Sequence, residues 1–306
     1  MLPAYQVLPD FFDDARAMRA AFDTHFADPI NHVPEIHQVW NYWNVPGQYT
    51  YLRTQPEKVI PRPLCDRFFA ALARVAIERY GMTVITWPFL SLYVAGCQQG
   101  IHNDSRNGRL GYVFSLTDWE ARRFAGGETM IFADRRPAGS RGVTEAQAAT
   151  DFYELVPSLF NQLLVFDDRV PHAVPRIEGT MGPHEGRVVL HGHIQEGPAL
   201  SVGALPVAIV RAVIASLLQA VRPRLAEAGK GLAGTLTLRV TVRADGQIES
   251  GQILYDRLLP MENGAAEPKD AINAAIGIVR TVRFPAAAAP SQVTFALPFG
   301  PALPGY

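Results

Sequence analysis

The sequence of 306 residues contains only two cysteines, Cys65 and Cys97. Two thiols so far apart in sequence cannot build a disulfide scaffold or a four-thiolate zinc site. Such a low cysteine content is consistent with a reducing compartment. The acidic opening MLPAYQVLPDFFDD also lacks the basic start that is typical of a secretory signal. We therefore predict a cytoplasmic protein.

The chain also lacks an excess of charge of either sign. Lys and Arg number 28 against 29 Asp and Glu, which gives a formal net charge of -1. Nucleic-acid binding draws much of its affinity from surplus basic side chains that displace counterions from phosphates. The composition therefore predicts that nucleic acid is not a partner.

Long apolar runs and nucleotide motifs are missing as well. The longest apolar stretch, residues 204–221, is interrupted by Pro206, Arg211 and Gln219, whereas a membrane-spanning helix needs about 20 apolar residues. We predict a buried helix there and no membrane partner. Neither a Gly-rich phosphate loop nor a dinucleotide fingerprint occurs in the sequence.

Three segments of different pattern follow one another along the chain. Apolar residues recur at helical spacing in 11–26 and 61–80, which predicts N-terminal helices. Residues 82–196 hold short β-rich runs separated by turns, which is typical of a barrel or jelly roll. Within them, residues 133–158 form a long charged stretch that we interpret as a lid or substrate loop.

A change in composition near residue 198 marks a second domain. The linker GPALSVGALP leads into a helix and then into two alternating strands around Ala244-Asp245-Gly246, which is a hairpin signal. We therefore predict an α+β protein of two domains. Residues 1–197 form a jelly-roll core with N-terminal helices, and residues 198–306 form a small α+β domain.

The strongest chemical signal is a His-x-Asp pair with a histidine further along the chain. His102 and Asp104 are one residue apart, so on an extended strand both side chains leave the same face and can reach one ion. His172 follows the run QLLVF and the turn DDRVP. Two imidazoles and one carboxylate make the facial triad that leaves positions on iron(II) open for other ligands.

The motifs around this triad resemble those of the prolyl-hydroxylase-like iron(II)/2-oxoglutarate oxygenases over about residues 85–196. They are LYVAGCQQGIHNDSRNGRLGYVFSLTDW, FAGGETMIF, NQLLVFDDRVPHAV and GRVVLHGHI. The resemblance implies a double-stranded β-helix and a dioxygenase that hydroxylates a C–H bond and releases succinate and CO2. It also implies Fe(II) as cofactor, 2-oxoglutarate as co-substrate and ascorbate as an accessory reductant.

The resemblance assigns roles to individual residues. His102, Asp104 and His172 correspond to the iron ligands, which are also the catalytic centre. Because related halogenating enzymes replace the carboxylate with a small residue, retention of Asp104 favours hydroxylation. Arg187 corresponds to the basic residue that holds the distal carboxylate of 2-oxoglutarate, and Tyr93 corresponds to a tyrosine of the same pocket.

Strand alternation independently supports Arg187. In RVVLHGHI it shares one face with His191 and His193, opposite the apolar side chains. A guanidinium there needs an anionic partner, and its planar fork fits a carboxylate. A salt bridge to an Asp or Glu on a neighbouring strand is the alternative. His191 is a further candidate for the cofactor pocket, although either histidine could instead be a hydrogen-bonded core residue.

An aromatic-rich segment precedes the β-rich region. It could form a rim that holds the substrate, or it could pack into the core. Its members are Trp40, Tyr42, Trp43, Tyr49, Tyr51 and Arg53.

The C-terminal region resembles the C-terminal domain of TonB-like energy transducers over about residues 233–299. The motifs are GTLTLRVTVRADGQIESGQILY, DAINAAIGIVRTVRFP and SQVTFALPF. Such domains bind proteins or peptides by edge-strand contacts, but the membrane anchor and spacer of a transducer are lacking. We interpret residues 198–306 as a substrate-recruiting or homo-oligomerising module, with a structural appendage as the alternative.

Three functions remain open from the sequence. The first is hydroxylation of an amino-acid side chain in a peptide or protein. The second is the same chemistry on a free amino acid or small natural-product intermediate. The third is a non-catalytic, cupin-like metal-binding module with a protein-binding C-terminal domain.

Overall fold

The computed structural model describes residues 3–27, 39–105, 107–132 and 152–300. Most of the segment predicted to be a lid, residues 133–151, lies outside them. The chain divides into two compact units. The larger unit contains residues 3–72 and 86–194, and the smaller unit contains residues 73–85 and the chain from residue 195 onward.

Helices and strands are numbered separately in chain order. The helices are α1 (Ala15–Phe26), α2 (Arg62–Val75), α3 (Val207–Ala228) and α4 (Pro268–Val279). The strands up to residue 195 are β1 (Tyr5–Leu8), β2 (Asn41–Val45), β3 (Tyr49–Thr54), β4 (Val84–Ile85), β5 (Phe89–Tyr93), β6 (Gln98–His102), β7 (Leu110–Ser115), β8 (Thr129–Phe132), β9 (Tyr153–Val156), β10 (Leu163–Asp167), β11 (His172–Val174) and β12 (Arg187–Gln195). The later strands are β13 (Leu200–Gly203), β14 (Leu232–Val242), β15 (Ile248–Tyr255), β16 (Leu258–Pro260) and β17 (Ser291–Phe299).

The larger unit is built on one extensive antiparallel sheet. Its strands follow the order β1-β10-β7-β12-β5-β3-β6-β11-β8-β9, and β2 pairs with β3. Side chains from seven of these strands, between β5 and β12, line a single cavity, so the sheet curls around it. A curled antiparallel sheet agrees with the predicted jelly-roll core.

The N-terminal helices bury one apolar face each, as their periodicity predicts. Helix α1 buries Ala15, Met18 and Phe22, which lie three and four residues apart. In α2 the buried Phe68 packs against Phe114 of β7, with ring centroids 4.7 Å apart. The helical prediction for 61–80 is therefore confirmed, with residues 76–80 forming a wider π-turn before Gly81.

The smaller unit is an α+β unit with a sheet in the order β13-β17-β14-β15, and β16 pairs with β14. Apolar side chains of α3 and α4 share one core with β14 and β17. The predicted hairpin joins β14 and β15, and Gly246 at the turn has φ +82°. Helix α3 buries only one face, through Val210, Ile214 and two later residues. The buried helix predicted for residues 204–221 is therefore buried on that face alone.

The opposite face of β14 explains why residues 73–85 belong to the smaller unit. The Thr237 hydroxyl donates to the Tyr80 carbonyl at 2.5 Å, and the Arg239 guanidinium donates to the Ile77 carbonyl at 3.0 Å. The first contact gives the Tyr80 carbonyl a donor at the end of the helical segment, where intrahelical donors run out, and the second adds a donor to the Ile77 carbonyl, which also accepts from the Gly81 N–H at 3.2 Å. No helix among the described residues is long and apolar enough to span a membrane.

Candidate metal centre

Strand register brings the predicted triad together. His102 ends β6 and His172 begins β11, and the two residues are direct partners in the antiparallel pairing of these strands. Asp104 follows His102 by two residues, and its backbone N–H donates to the Asp168 carbonyl at 2.8 Å. The three side chains therefore converge although 68 residues separate Asp104 from His172 in sequence.

The possible ligand atoms of His102, Asp104 and His172 all lie within 4.8 Å of one another. Asp104 Oδ2 is 3.4 Å from His172 Nε2 and 3.8 Å from His102 Nε2. The two imidazole rings have centroids 4.2 Å apart. Such a set of two nitrogens and one carboxylate oxygen is suited to a divalent transition metal.

Hydrogen bonds to the backbone fix the tautomer of each histidine. His102 Nδ1 lies 2.8 Å from the Gly100 carbonyl, and His172 Nδ1 lies 3.0 Å from the Val170 carbonyl. Because a carbonyl only accepts, each Nδ1 carries the hydrogen and each neutral ring presents a lone pair at Nε2. With both rings neutral, the His172 Nε2 lone pair lies 3.4 Å from a carboxylate oxygen of Asp104, and a bound cation would remove this repulsion.

The electrostatics of the site favour a neutral His102 and an ionised Asp104. Burial, and then the neighbouring His172, lower the pKa of His102. Burial alone would raise the pKa of Asp104, but a hydrogen bond from His172, together with the charges that the neighbouring histidines carry when protonated, outweighs it and brings that pKa down to about 2. Metal ligands must be deprotonated, so both shifts prepare the site for a metal ion at neutral pH.

Arg187 is fully buried, and its hydrogen-bond partners among the described residues are neutral. Its Nε donates to the Ser158 hydroxyl at 3.2 Å, and one terminal nitrogen donates to the Thr129 hydroxyl at 3.3 Å. The guanidinium lies over the Tyr93 ring, 4.8 Å from its centroid. Among the described residues no carboxylate lies within 4.0 Å of it, so the alternative of a salt bridge is wrong for that part of the chain.

A buried cation without an anion is costly, because desolvation disfavours its charged form. Burial accordingly lowers the pKa of Arg187. The same side chain lines the cavity that Asp104 and His172 line. A small dianion that reached both the triad and Arg187 would remove this cost.

Tyr93 and Gln99 lie between Arg187 and the triad. Tyr93 stacks on Tyr51 with ring centroids 5.3 Å apart, and its hydroxyl donates to the Gln99 side-chain carbonyl at 3.4 Å. The Gln99 amide donates to His102 Nε2 at 3.0 Å, which agrees with a lone pair on that nitrogen. Gln99 was not predicted from the sequence, because glutamine carries no charge or metal preference that would single it out.

His191 and His193 both face the cavity, as alternation along β12 predicts. His191 Nε2 is 2.8 Å from the Ser91 hydroxyl, and burial lowers its pKa well below the usual value. His191 is therefore neutral and hydrogen-bonded. His193 Nδ1 instead lies 3.0 Å from a carboxylate oxygen of Asp168.

Asp168 is a buried residue that the sequence reasoning missed. Burial raises its pKa to about 6, although the hydrogen bond with His193 acts in the other direction. Together with Asp104 and His193 it forms a second cluster of possible ligand atoms. The only signal for it in the sequence is the acidic pair after QLLVF, where two charges directly follow an apolar strand.

The aromatic-rich segment does not act as one group. Trp40 stacks on Phe26 at 5.9 Å, and Tyr42 is 68% exposed. Tyr51 is buried beside Tyr93, and Arg53 lies over the Trp43 ring at 4.9 Å. Only part of the predicted rim therefore faces the cavity side of the sheet.

No family model matches the chain, and a search of curated proteins finds no match. Solved structures do show similarity to it. A prolyl-4-hydroxylase of Pseudomonas putida is 18% identical with a TM-score of 0.44, over 64% of this chain and 94% of that one. HygX of Streptomyces hygroscopicus, solved with nickel and 2-oxoglutarate bound, is 10% identical with a TM-score of 0.42, over 62% and 83%. An oxidoreductase of the 2OG-Fe(II) oxygenase family from Burkholderia pseudomallei is 15% identical with a TM-score of 0.40, over 61% and 83%.

Proposed function

We propose that the protein is an iron(II)- and 2-oxoglutarate-dependent dioxygenase whose metal ligands are His102, Asp104 and His172. The observation that carries the proposal is the convergence of two Nε2 lone pairs and one carboxylate. Their backbone hydrogen bonds hold both imidazoles in the tautomer that a metal requires. The triad fits iron(II), which with three protein ligands keeps positions for a chelating co-substrate and dioxygen.

Arg187 would bind the distal carboxylate of 2-oxoglutarate. Its buried guanidinium offers a planar fork, and a charge-assisted pair with a carboxylate is strong in a buried position. The Ser158 and Thr129 hydroxyls orient the fork. Tyr93 lies under the guanidinium and would form one wall for the co-substrate. His191 is kept neutral by burial and hydrogen-bonded to Ser91, and it would contact the co-substrate without adding a charge.

A non-catalytic metal module accounts less well for this cavity. Such a module needs the triad, but it does not need a buried, uncompensated arginine beside it. Arg187 is 1% exposed, so retaining its charge there implies an anionic ligand. A 2-oxoglutarate-dependent oxygenase needs one site for a metal and one for a dicarboxylate. The triad and Arg187 would serve as these two sites.

The proposal also assigns a substrate class and a role for the second domain. The bound iron would supply oxygen activation at the expense of 2-oxoglutarate, with ascorbate as an accessory reductant. We propose hydroxylation of an amino-acid side chain in a peptide or protein by residues 1–197. Residues 198–306, a TonB-like domain on the sequence resemblance, would recruit that substrate or join two copies of the chain.

The experiment is an assay of succinate formation from 2-oxoglutarate with added iron(II), combined with mass spectrometry of candidate peptides and free amino acids. We expect iron-dependent succinate and one added oxygen on a peptide. Asp104→Ala should abolish the succinate, and Asp118→Ala, which removes an exposed carboxylate of the same unit, should not. Succinate formation that survives Asp104→Ala would exclude the proposed triad.

A further inference from the structure

A second cavity lies in the larger unit. It has a volume of about 200 Å³ and is lined by Arg53, Lys58, Trp43 and Phe89 together with neutral polar residues. Of the residues that the structure describes, two cations and no carboxylate line it. This volume suits one functional group of a ligand, because whole drug-sized ligands occupy about 300–1,000 Å³.

Arg53 in this cavity is held by aromatic rings and not by an acid. Its guanidinium carbon lies 3.3 Å from the Phe89 ring centroid and 4.9 Å from the Trp43 ring centroid. Arg53 Nε is buried without a hydrogen-bond partner, and no carboxylate of the described ranges lies within 4.0 Å of this side chain. A buried N–H without a partner is destabilising, and an acceptor on a ligand would satisfy it.

The Arg53 cavity and the metal cavity share one face of the sheet. Arg53 is the direct strand partner of Ser91, and Phe89 is the direct partner of His191. Side chains of directly opposed residues project to the same side of a sheet. Ser91 and Phe89 both contact His191, which lines the metal cavity. A ligand that begins at the Arg53 cavity can therefore continue along this face toward the metal centre.

We propose that the Arg53 cavity is the subsite for an anionic group of the substrate, either a carboxylate or a phosphate, attached to an apolar or aromatic body. Arg53 would supply the charged donors, with Lys58 as a second cation at the entrance. Trp43 and Phe89 would contact the adjoining apolar part of the substrate. This proposal deepens the proposed function, because it assigns a chemical class to the oxygenase substrate.

The test uses the full-length protein without metal or 2-oxoglutarate, so its result does not depend on the oxygenase proposal. Benzoate and phenyl phosphate are the anionic probes, and benzamide is the neutral control. Binding is followed by tryptophan fluorescence, because Trp43 lies at the cavity. We expect at least one anion to bind at least 10-fold more tightly than benzamide, and the stronger one identifies the preferred anion.

Four variants locate the bound anion. Arg53→Gln should weaken binding of the stronger anion at least 10-fold. Lys58→Gln changes an exposed side chain with little risk to folding, and it should weaken binding about 3-fold. Arg62→Gln is the matched control, because Arg62 also stacks on a tryptophan, Trp87, at 4.5 Å but does not line the cavity. This variant should bind the anion with an affinity within 2-fold of that of the parent protein. Arg187→Gln should also retain binding.

Three results would overturn the proposal. The first is benzamide binding as tightly as both anions. The second is anion binding that is unchanged in both Arg53→Gln and Lys58→Gln, and the third is anion binding that is lost in Arg187→Gln alone. Failure of the oxygenase proposal would appear elsewhere, as absent iron-dependent succinate formation in a chain that still binds the anion.

Discussion

At the scale of single residues, the proposed metal centre depends on two contacts: Asp104 lies beside His102, and strand pairing places His172 opposite His102. The one-residue spacing of His102 and Asp104 predicted the first contact, although Asp104 lies just beyond the end of β6. The partners of Arg187 were not predictable in this way. Ser158 and Thr129 reach it across 29 and 58 residues of sequence, and only the strand order brings them close. Asp168 was missed for the same reason.

Arg187→Lys should weaken 2-oxoglutarate binding by about 10- to 100-fold. Lysine keeps the charge but cannot donate two parallel hydrogen bonds to one carboxylate, and a hydrogen bond to a charged group is worth about 1.5–3 kcal/mol. The measurement is calorimetric titration of 2-oxoglutarate into manganese-loaded protein. Arg176→Lys, which changes an exposed arginine paired with Glu178, is the control. Equal affinity in Arg187→Lys and the parent would remove Arg187 from the co-substrate site.

Cys65 should be inert toward thiol reagents in the native protein. It is fully buried in α2, and burial raises the pKa of its thiol to about 12. The folded pKa lies above the unfolded value, so the neutral thiol stabilises the fold below pH 9, and this contribution is lost as pH rises toward 12. An aromatic disulfide reagent at pH 8.5 should find no reactive Cys65 until guanidinium unfolds the chain. Rapid labelling of Cys65 in the native protein would contradict this account of its burial.

At the scale of elements, alternation along β12 was the most informative pattern. It placed Arg187, His191 and His193 on one face, and the structure has all three lining the cavity. Periodicity also located α1 and α2. For α3 the apolar composition indicated a buried helix, but composition does not show how many faces the rest of the chain covers.

The turn before β8 offers a test of how tightly this part of the sheet is fixed. Gly126 has φ +78°, and a Cβ there would lie 2.1 Å from the Arg176 carbonyl oxygen. Gly47 has a similar φ of +74° and open space around it. Positive φ alone costs an alanine about 1–2 kcal/mol. Gly126→Ala should therefore lower the free energy of unfolding by about 3 kcal/mol or more, and Gly47→Ala by about 1 kcal/mol.

The measurement for this pair is urea unfolding followed by tryptophan fluorescence. All four tryptophans, at positions 40, 43, 87 and 119, belong to the larger unit, so the signal reports on that unit. If Gly126→Ala and Gly47→Ala lower the free energy of unfolding equally, backbone strain alone decides the destabilisation. The contact between position 126 and Arg176 would then not be tight.

At the scale of the whole molecule, the sequence indicated two domains with a boundary near residue 198. The structure has a unit that begins at residue 195 but also includes residues 73–85. That inclusion rests on hydrogen bonds from Thr237 and Arg239 to carbonyls more than 150 residues earlier. Composition along the chain cannot reveal such a pairing.

The isolated fragment 195–306 should be less stable than the same unit in the full chain. Without residues 73–85, the hydroxyl of Thr237 and the guanidinium of Arg239 lose their carbonyl partners, and the buried face of β14 becomes exposed. Urea unfolding of the fragment, followed by circular dichroism, should shift to higher urea when a synthetic peptide of residues 73–85 is added. A midpoint that the peptide does not change would mean that these contacts contribute little.

The most direct measurement of the central claim is an anaerobic titration of the protein with iron(II) and then with 2-oxoglutarate, followed by visible absorption. If His102, Asp104 and His172 bind iron and leave two adjacent positions for the keto acid, a charge-transfer band should appear and saturate at one equivalent of each. The band should be absent in Asp104→Ala. No band in the parent protein, or an unchanged band in Asp104→Ala, would contradict the proposed metal centre.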